Sequence, residues 1–330
     1  MDYRRLGNSD LNISVITLGA WQYGNEQQWG KVSVKDINQV IKSSIDSGIN
    51  TIDTAIVYGD SEIIVGNAIK NFRENVIIVS KCGADPKKIP NQIDFSLKRM
   101  NLDYIDLYLV HCPDADIPIE DTMDAMAKIR DTGKVKYIGV SNFNKEQLSR
   151  AASTTNIICC ESPYNLIWKE IEITGLMDYC HENNIGILTY SSLGQGLFTG
   201  KIRSLEDIPK REGDIRHHTL FFKGDAFNVG LEIVNILEKL SKKYNKTVAQ
   251  IAINWVIDNK GITSAICGIV NQDELSDNLG AVGWKMDKGD YKLLSCKADL
   301  VSKTFDYSCF MWGTKYSDVK VDKAIDDMGL

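Results

Sequence analysis

The sequence lacks the features that would carry it into or across a membrane. It contains no run of about 18 apolar residues, the minimum for a transmembrane helix. Its first residues include no apolar segment of the kind found in secretory signal peptides. Lysine and arginine form no stripe, and the formal net charge is −6, which argues against a nucleic-acid-binding surface. We therefore expect a cytoplasmic protein with neither membrane nor nucleic acid as a partner.

The cysteine pattern excludes the common metal and redox motifs. None of the eight cysteines stands in a Cys-x-x-Cys pair, and no His/Cys/Asp cluster has the spacing of metal ligands, so we expect no metal site. Several cysteines fall in apolar runs, which predicts buried free thiols in a reducing compartment. An adventitious disulfide or a reactive thiol such as Cys82 stays open as an alternative.

The chain also lacks a Gly-x-Gly-x-x-Gly motif after its first predicted strand, which argues against an open dinucleotide-binding sheet. Instead, eight apolar runs alternate with helical patterns, as expected for parallel strands buried on both faces. Eight such units favour a closed barrel, so we predict an α/β fold of the (β/α)8 TIM-barrel class. The predicted strands are residues 14–19, 50–53, 75–80, 104–110, 135–140, 157–160, 185–190 and 262–267.

We expect residues 1–330 to form a single domain, with the barrel at about residues 14–285. A hairpin around Gly7 would cover the bottom of the barrel. The long, glycine-rich segment 193–225 has little periodicity, which is typical of a functional loop. The helical pattern loosens after about Asp290. We expect the tail at about 290–330 to pack on the barrel, because it carries Phe305, Tyr307, Phe310 and Trp312.

Polar residues stand where the predicted strands end, and the active sites of (β/α)8 barrels lie at that end. Asp53, Tyr58, Lys81 and His111 follow three neighbouring strands. Each alone has an ordinary structural interpretation, as a helix cap, a packing residue, a solvated cation or a core histidine. Their joint placement instead predicts one shared site.

Residues 51–59 are TIDTAIVYG, residues 106–111 are DLYLVH, residues 139–143 are GVSNF and residues 191–201 are SSLGQGLFTGK. Together these motifs resemble those of the aldo-keto reductase superfamily. Residues 51–59 are similar to its Asp-Thr-Ala…Tyr-Gly signature, and residues 106–111 to its histidine strand. Residues 139–143 and 191–201 resemble two further motifs, in the same order. The resemblance extends from about Tyr3 to Trp284 and implies a (β/α)8 barrel with a C-terminal extension.

The resemblance implies an NAD(P)-dependent oxidoreductase that transfers a hydride between nicotinamide and a carbonyl or alcohol carbon of a small aldehyde, ketone or sugar. Tyr58 would donate the proton, and Lys81 would lower its pKa. Asp53 would hold Lys81, and His111 would polarise the carbonyl. Trp21, Tyr58 and His111 would contact the substrate.

The resemblance also implies a set of cofactor contacts. Tyr190 would stack on the nicotinamide, Ser141 and Asn142 would bind its carboxamide, and the loop 191–201 would surround the pyrophosphate. The full set is Gly19, Ala20, Trp21, Asp53, Ser141, Asn142, Glu161, Tyr190, Ser191, Ser192, Leu193, Gly194, Gly196, Lys201, Gly268, Val270, Glu274 and Asn278.

Glu161 departs from the family, which usually has glutamine there. An ionised carboxylate can only accept hydrogen bonds, and it would favour the positively charged, oxidised nicotinamide. A protonated Glu161, or one turned away, is the alternative. A retained oxidised cofactor would also suit a redox-neutral enzyme that oxidises a sugar transiently before elimination or epimerisation.

Val270 and Glu274 are the second departure, because the family often has arginine and glutamine at these positions. An arginine suits the 2′-phosphate of NADP, whereas a carboxylate suits a free ribose hydroxyl. NAD(H) or NADP(H) both stay open, with a slight preference for NAD(H). A cofactor-sensing binding subunit of the same fold is the alternative of another class, and the sequence carries no signal for an oligomeric state.

Overall fold

The computed structural model describes residues 1–328, and within them eight parallel strands close into a barrel in chain order, with the last strand pairing with the first. This confirms the predicted (β/α)8 barrel. Two further strands pair antiparallel as a hairpin before the barrel. The strands are β1 (Tyr3–Arg5), β2 (Asn12–Ser14), β3 (Ile16–Gly19), β4 (Thr51–Asp53), β5 (Ile77–Cys82), β6 (Ile105–Val110), β7 (Val135–Ser141), β8 (Cys159–Pro163), β9 (Gly186–Tyr190) and β10 (Ser264–Gly268).

Helices follow the barrel strands and cover their outer face. The α-helices are α1 (Trp21–Gly24), α2 (Glu26–Trp29), α3 (Val34–Asp46), α4 (Ser61–Ile69), α5 (Ile89–Met100), α6 (Ile119–Asp131), α7 (Lys145–Thr154), α8 (Glu170–Ile173), α9 (Leu176–Glu182), α10 (Gly224–Tyr244), α11 (Val248–Asp258), α12 (Gln272–Leu279), α13 (Lys288–Ser302) and α14 (Val321–Asp326). Short 3-10 helices occur at Arg73–Asn75, Gly194–Thr199, Leu205–Asp207, Ile215–His217, Leu220–Phe222 and Tyr316–Asp318.

Local sequence signals account for several of these boundaries. Ser33 accepts a hydrogen bond from the Asp36 backbone at the start of α3. Thr247 and Gln250 form a capping box that begins α11, as the sequence predicts. These caps satisfy backbone donors that helix starts leave unpaired.

The barrel interior is closed at its bottom by the hairpin. Leu6 and Ile13 are buried in a cluster with Leu107, Leu109 and Leu188 from the barrel strands. A second, larger cluster lies between the strands and the surrounding helices. The bottom of the barrel is therefore packed with apolar side chains, which leaves the opposite end for a site.

The structure differs from the predicted elements at three places. The strands β5 and β8 run further than predicted, so Lys81 and Glu161 lie inside strands rather than beyond them. The sequence pattern predicts a helix over residues 173–183 after β8, but α9 begins only at Leu176, because Gly175 before it has a φ of 73°. The helix α13 forms where the pattern loosens, since Leu294 and Ala298 are buried on one face.

The C-terminal tail lies against the barrel, with Phe310 and Met311 buried. The prediction of one domain over residues 1–330 stays a prediction, and its last two residues lie outside the described part. No helix among residues 1–328 has the length and apolar character of a membrane span. The eight cysteines are free, and six of them are buried: Cys82, Cys112, Cys159, Cys160, Cys180 and Cys267, with Cys296 exposed and Cys309 half-buried.

Candidate active site

Four predicted side chains meet at the upper end of the barrel. Lys81 on β5 donates from Nζ to Asp53 Oδ2 of β4 at 2.5 Å and to the Thr54 carbonyl at 3.0 Å. The same Nζ lies 5.3 Å from the centroid of the Tyr58 ring. The His111 ring meets the Tyr58 ring edge-on, with centroids 5.7 Å apart. A phenol, an ammonium, a carboxylate and an imidazole therefore occupy one small volume.

The turn after β4 sets the position of Tyr58. The Tyr58 backbone N–H donates to the Ala55 carbonyl, which closes the turn. Gly59 follows with a φ of 55°, and a Cβ atom there would lie 2.0 Å from the Gly24 carbonyl oxygen. Only glycine fits this close approach, so the turn that carries Tyr58 is fixed against α1.

A cavity of about 930 Å³ opens above these residues, a size near the upper end of the range for small-molecule and cofactor pockets. Asp53, Tyr58 and His111 line it, whereas Lys81 is fully buried behind them. Trp21, Trp29 and Trp312 supply aromatic walls. The reactive groups are thus exposed to the cavity, and the ammonium that supports them is shielded from water.

Burial controls the protonation of the phenol and the ammonium. Burial raises the pKa of Tyr58 above its ordinary value, and Lys81 offsets only part of that rise. The influence of Lys81 has the predicted sign, but the net shift of the Tyr58 pKa is opposite to the prediction. Burial lowers the pKa of Lys81, but Asp53 and Glu161 more than compensate and hold it above its usual range. Both groups therefore keep their protons at neutral pH.

His111 is neutral at the pH of most cellular fluids. Burial and the nearby Lys81 charge lower the pKa of His111 to about 3. Its Nδ1 has no hydrogen-bond partner among the described residues. A neutral imidazole with an unpartnered nitrogen beside the cavity can bind the oxygen of a ligand.

Glu161 adds a second carboxyl group to the cluster. Its side chain is 2% exposed, and Oε1 lies 3.4 Å from Lys81 Nζ. Glu161 and Asp53 therefore flank the same ammonium. Burial and the Asp53 charge raise the pKa of Glu161 well above its usual range, with Lys81 opposing them.

Two residues with strained backbones border the cavity near Tyr190. Asn142 has a φ of 62° and Ser191 a φ of 55°, conformations that are uncommon outside glycine and tend to cluster at functional sites. The Tyr190 hydroxyl donates to Asn142 Oδ1 at 2.7 Å, and Asn142 Nδ2 donates to the His111 carbonyl at 2.9 Å. Asn142 thus ties the Tyr190 ring to the strand end that carries His111.

Most of the predicted cofactor residues line the cavity, and three do not. Those lining it are Gly19, Trp21, Asp53, Asn142, Glu161, Tyr190, Ser191, Ser192, Leu193, Gly196, Lys201, Gly268, Val270, Glu274 and Asn278. Ala20, Ser141 and Gly194 are buried outside that lining. Ser141 Oγ accepts from Asn142 Nδ2 at 3.0 Å, so it supports a neighbour that reaches the cavity.

Several cavity residues were missed by sequence reasoning. Gln195 stands between the two predicted glycines of the loop and has a φ of 54°, so its place in that motif could have identified it. Gln22 and Arg216 lie in segments with no motif or period. Val319 and Lys320 come from the tail, whose packing on the barrel was expected but whose contact with the cavity was not.

Buried polar atoms without partners are concentrated around this cavity. Among the described residues, Gln22 Oε1, Glu161 Oε2 and Gln195 Nε2 have no hydrogen-bond partner, although all three side chains belong to the cavity wall. Buried polar atoms in proteins normally find partners, so these fit a polar ligand that supplies them. A nicotinamide dinucleotide, with amide, hydroxyl and phosphate groups, matches this chemistry.

Comparison with known proteins decides the family. The family model described as "Aldo/keto reductase family" matches residues 15–298. The chain belongs to the aldo/keto reductase family. Enzymes of this family are nicotinamide-dependent oxidoreductases that act on small carbonyl compounds, and the chain is accordingly an oxidoreductase of this type.

Relatives within the aldo/keto reductase family resemble the chain over most of its length. Aldo-keto reductase YhdN of Bacillus subtilis is 36% identical over 308 residues, which cover 88% of this chain and 92% of that protein. The NADH-specific methylglyoxal reductase of Escherichia coli is 26% identical, covering 90% and 98%. The crystal structure of the glycerol dehydrogenase AKR11B4 from Gluconobacter oxydans has a TM-score of 0.82 and 28% identity, covering 94% and 99%.

Proposed function

We propose that this aldo/keto reductase reduces small polar carbonyl compounds, with Tyr58 as the proton donor and Asp53, Lys81 and His111 as its supporting residues. The observation that carries the proposal is that Lys81 Nζ, bound to Asp53 at 2.5 Å, lies 5.3 Å from the centroid of the Tyr58 ring, which in turn meets the His111 ring. A bound nicotinamide would supply the hydride to the carbonyl carbon.

The protein's own groups handle the oxygen of the substrate. Tyr58 donates the proton that the carbonyl oxygen needs as it becomes a hydroxyl. The neutral His111 ring binds the same oxygen and stabilises the charge that develops on it. Lys81 favours the phenolate that Tyr58 leaves, and Asp53 keeps the ammonium in place.

The protonation of Tyr58 favours the reductive direction. Reduction needs the phenol, and oxidation of an alcohol needs the phenolate. Burial holds the pKa of Tyr58 above its ordinary value, so the phenol predominates at neutral pH. Reduction should therefore be faster than oxidation at neutral pH, with oxidation favoured only in more alkaline solution.

We also propose NADH rather than NADPH as the preferred cofactor. Val270, Glu274 and Asp277 line the cavity, and the stretch 269–284 contains no basic residue. Glu274 Oε2 accepts the Val270 backbone N–H at 2.9 Å, which holds the carboxylate at this rim. A carboxylate repels a 2′-phosphate and accepts from a free 2′-hydroxyl.

The walls of the cavity favour a polar substrate. Trp29 Nε1 and Trp312 Nε1 have no hydrogen-bond partners among the described residues, and neither has Gln28 Oε1. Aromatic faces pack on C–H groups, while unpartnered indole N–H groups suit hydroxyl or carbonyl oxygens. Small hydroxyaldehydes, ketones and sugars combine both features, whereas long-chain aliphatic aldehydes do not.

The test is turnover and cofactor binding by Tyr58→Phe. This variant keeps the ring and removes the transferable proton, so reduction of a hydroxyaldehyde should be abolished while NADH binding, followed by fluorescence, is retained. Tyr137→Phe, a half-buried tyrosine whose hydroxyl binds Asp10 away from the cavity, is the matched control. Near-normal activity in Tyr58→Phe would remove the phenol from this role.

A further inference from the structure

The carboxyl groups of Asp53 and Glu161 both lie within 4 Å of the buried ammonium of Lys81. Asp53 is 4% exposed, Glu161 2% and Lys81 0%. Lys81 Nζ is 2.5 Å from Asp53 Oδ2 and 3.4 Å from Glu161 Oε1. One ammonium thus faces two carboxyl groups, which would carry a net negative charge if both were ionised.

One ammonium balances one carboxylate, so a cluster with Asp53 and Glu161 both ionised would keep an uncompensated buried negative charge. Glu161 Oε2 receives no hydrogen bond from any described residue, which would be costly for a buried anion. A proton on Glu161 removes that cost, and the shorter contact with Lys81 leaves Asp53 as the ionised partner.

Within residues 1–328, no ion pair joins Glu161 to a cation other than Lys81. Lys81 is the cation that faces it, and the remaining titratable neighbours are acids. The titratable groups facing Glu161 are Asp53, Lys81, Tyr58, Cys112, Cys159 and Tyr190. A positive charge arriving in the cavity would supply the missing balance.

We propose that Asp53 and Glu161 share one proton and that this proton is released to solvent when the oxidised, positively charged nicotinamide binds. The inference depends on the proposed function, because it assumes a nicotinamide in the cavity that Glu161 lines. The reduced nicotinamide ring is neutral and leaves the shared proton in place. Glu161 is therefore a positioning residue that adjusts the charge of the site to the form of the cofactor.

This arrangement also accounts for a carboxyl group where the family has glutamine. A protonated glutamic acid carries one donor and one acceptor, as the glutamine amide does. The reduced form of the site would thus match the ordinary family member in charge. The oxidised form would gain an anion that an ordinary member lacks.

Isothermal titration calorimetry of the full chain tests the proton release directly. NAD⁺ and NADH are titrated in buffers that differ in ionisation enthalpy, because the dependence of the heat on the buffer counts released protons. Binding of NAD⁺ to wild type should release up to about one proton per protein molecule, whereas binding of NADH should release none. The Kd for NAD⁺ should fall by up to about tenfold for each unit rise in pH, over the pH range in which the proton is released.

Glu161→Gln should bind both cofactors without releasing a proton, and its Kd for NAD⁺ should be independent of pH over the same range. Tyr58→Phe is the matched control and should release the proton as wild type does. Circular dichroism shows whether Glu161→Gln folds. If it does not, Asp53→Asn removes the other carboxyl group of the pair and should also abolish the proton release.

Equal proton release by wild type and Glu161→Gln would overturn the inference. Loss of proton release in Tyr58→Phe, with release retained in Glu161→Gln, would also overturn it. Binding of NAD⁺ by wild type without any release would overturn it as well. Failure of wild type to bind either nicotinamide would instead overturn the proposed function, and this inference with it.

Discussion

The indole ring of Trp312 lies parallel to the phenol ring of Tyr190, with an angle of 9° between the planes and centroids 6.3 Å apart. Tyr190 ends a barrel strand, whereas Trp312 belongs to the C-terminal tail. Trp312 also meets Trp21 at 6.0 Å, so the tail completes an aromatic wall that begins on the barrel. The cavity is therefore built jointly by the barrel and its extension.

Replacing Trp312 with alanine should weaken substrate binding more than cofactor binding. The loss of an aromatic wall of this size corresponds to roughly 1–3 kcal/mol, which raises KM by about five- to hundredfold. Steady-state kinetics with a hydroxyaldehyde measures this change, and NADH titration should give a nearly unchanged Kd. Leu300→Ala, which truncates a 69% exposed side chain on α13, is the control and should leave KM unaltered. An unchanged KM in Trp312→Ala would show that the tail does not form a substrate wall.

One carboxylate of the tail, that of Asp322, bonds to the loop after β5. Asp322 Oδ2 accepts the backbone N–H groups of Ala84 at 2.8 Å and Asp85 at 3.2 Å, just after β5. A Cβ atom on Gly83 would lie 2.0 Å from Asp322 Oδ1, so a larger residue there would displace the Asp322 carboxylate. The tail thus bonds to the barrel at the loop just after the strand that carries Lys81.

Asp322→Ala and Gly83→Ala should therefore have the same effect by different routes. The first removes the acceptor and the second displaces it, so both should raise KM and speed proteolysis within residues 305–328. Limited proteolysis with mass spectrometry identifies the cleavage sites. Asp326→Ala, which removes a surface ion pair with Lys88, is the control. Cleavage at the wild-type rate in both variants would mean that other contacts hold the tail.

The barrel and the meeting of Asp53, Tyr58, Lys81 and His111 at one end of it were predictable because their signals are local. Buried parallel strands give continuous apolar runs, and the polar residues that end them must face the same side. The net pKa shift of Tyr58 was not predictable, because it depends on how far burial outweighs Lys81. Asp53 and Glu161, which both face Lys81, stand on strands that are not neighbours in the barrel, and no sequence pattern indicates that they come together. The docking of Asp322 on the loop after β5 is equally remote in sequence.

His111 should make the folded state less stable in acid. Burial lowers its pKa from 6.5 to about 3, so below about pH 6.5 the unfolded chain binds a proton that the folded chain does not. The free energy of unfolding should fall with falling pH over this window, by at most roughly 1.4 kcal/mol per pH unit from this group. Urea unfolding between these pH values should show a shallower fall in His111→Asn than in wild type. His181→Asn, at an exposed position, is the control. Parallel curves for wild type and His111→Asn would contradict a neutral, buried His111.

The rim formed by Val270 and Glu274 should decide between the two cofactors. The double variant Val270→Arg with Glu274→Gln introduces a cation and removes the carboxylate at the position where Glu274 now accepts the Val270 N–H. A charge-assisted bond from arginine to a 2′-phosphate is worth roughly 1.5–3 kcal/mol, so the affinity for NADPH relative to NADH should increase by about ten- to hundredfold. Fluorescence titration with both cofactors gives the ratio of Kd values. Asp273→Asn removes a charge from the exposed side of the same helix, and it should change that ratio little because its side chain does not line the cavity. The proposed preference would be contradicted if the wild-type protein bound NADPH much more tightly than NADH. Such a result would mean that the Glu274 carboxylate does not repel the 2′-phosphate.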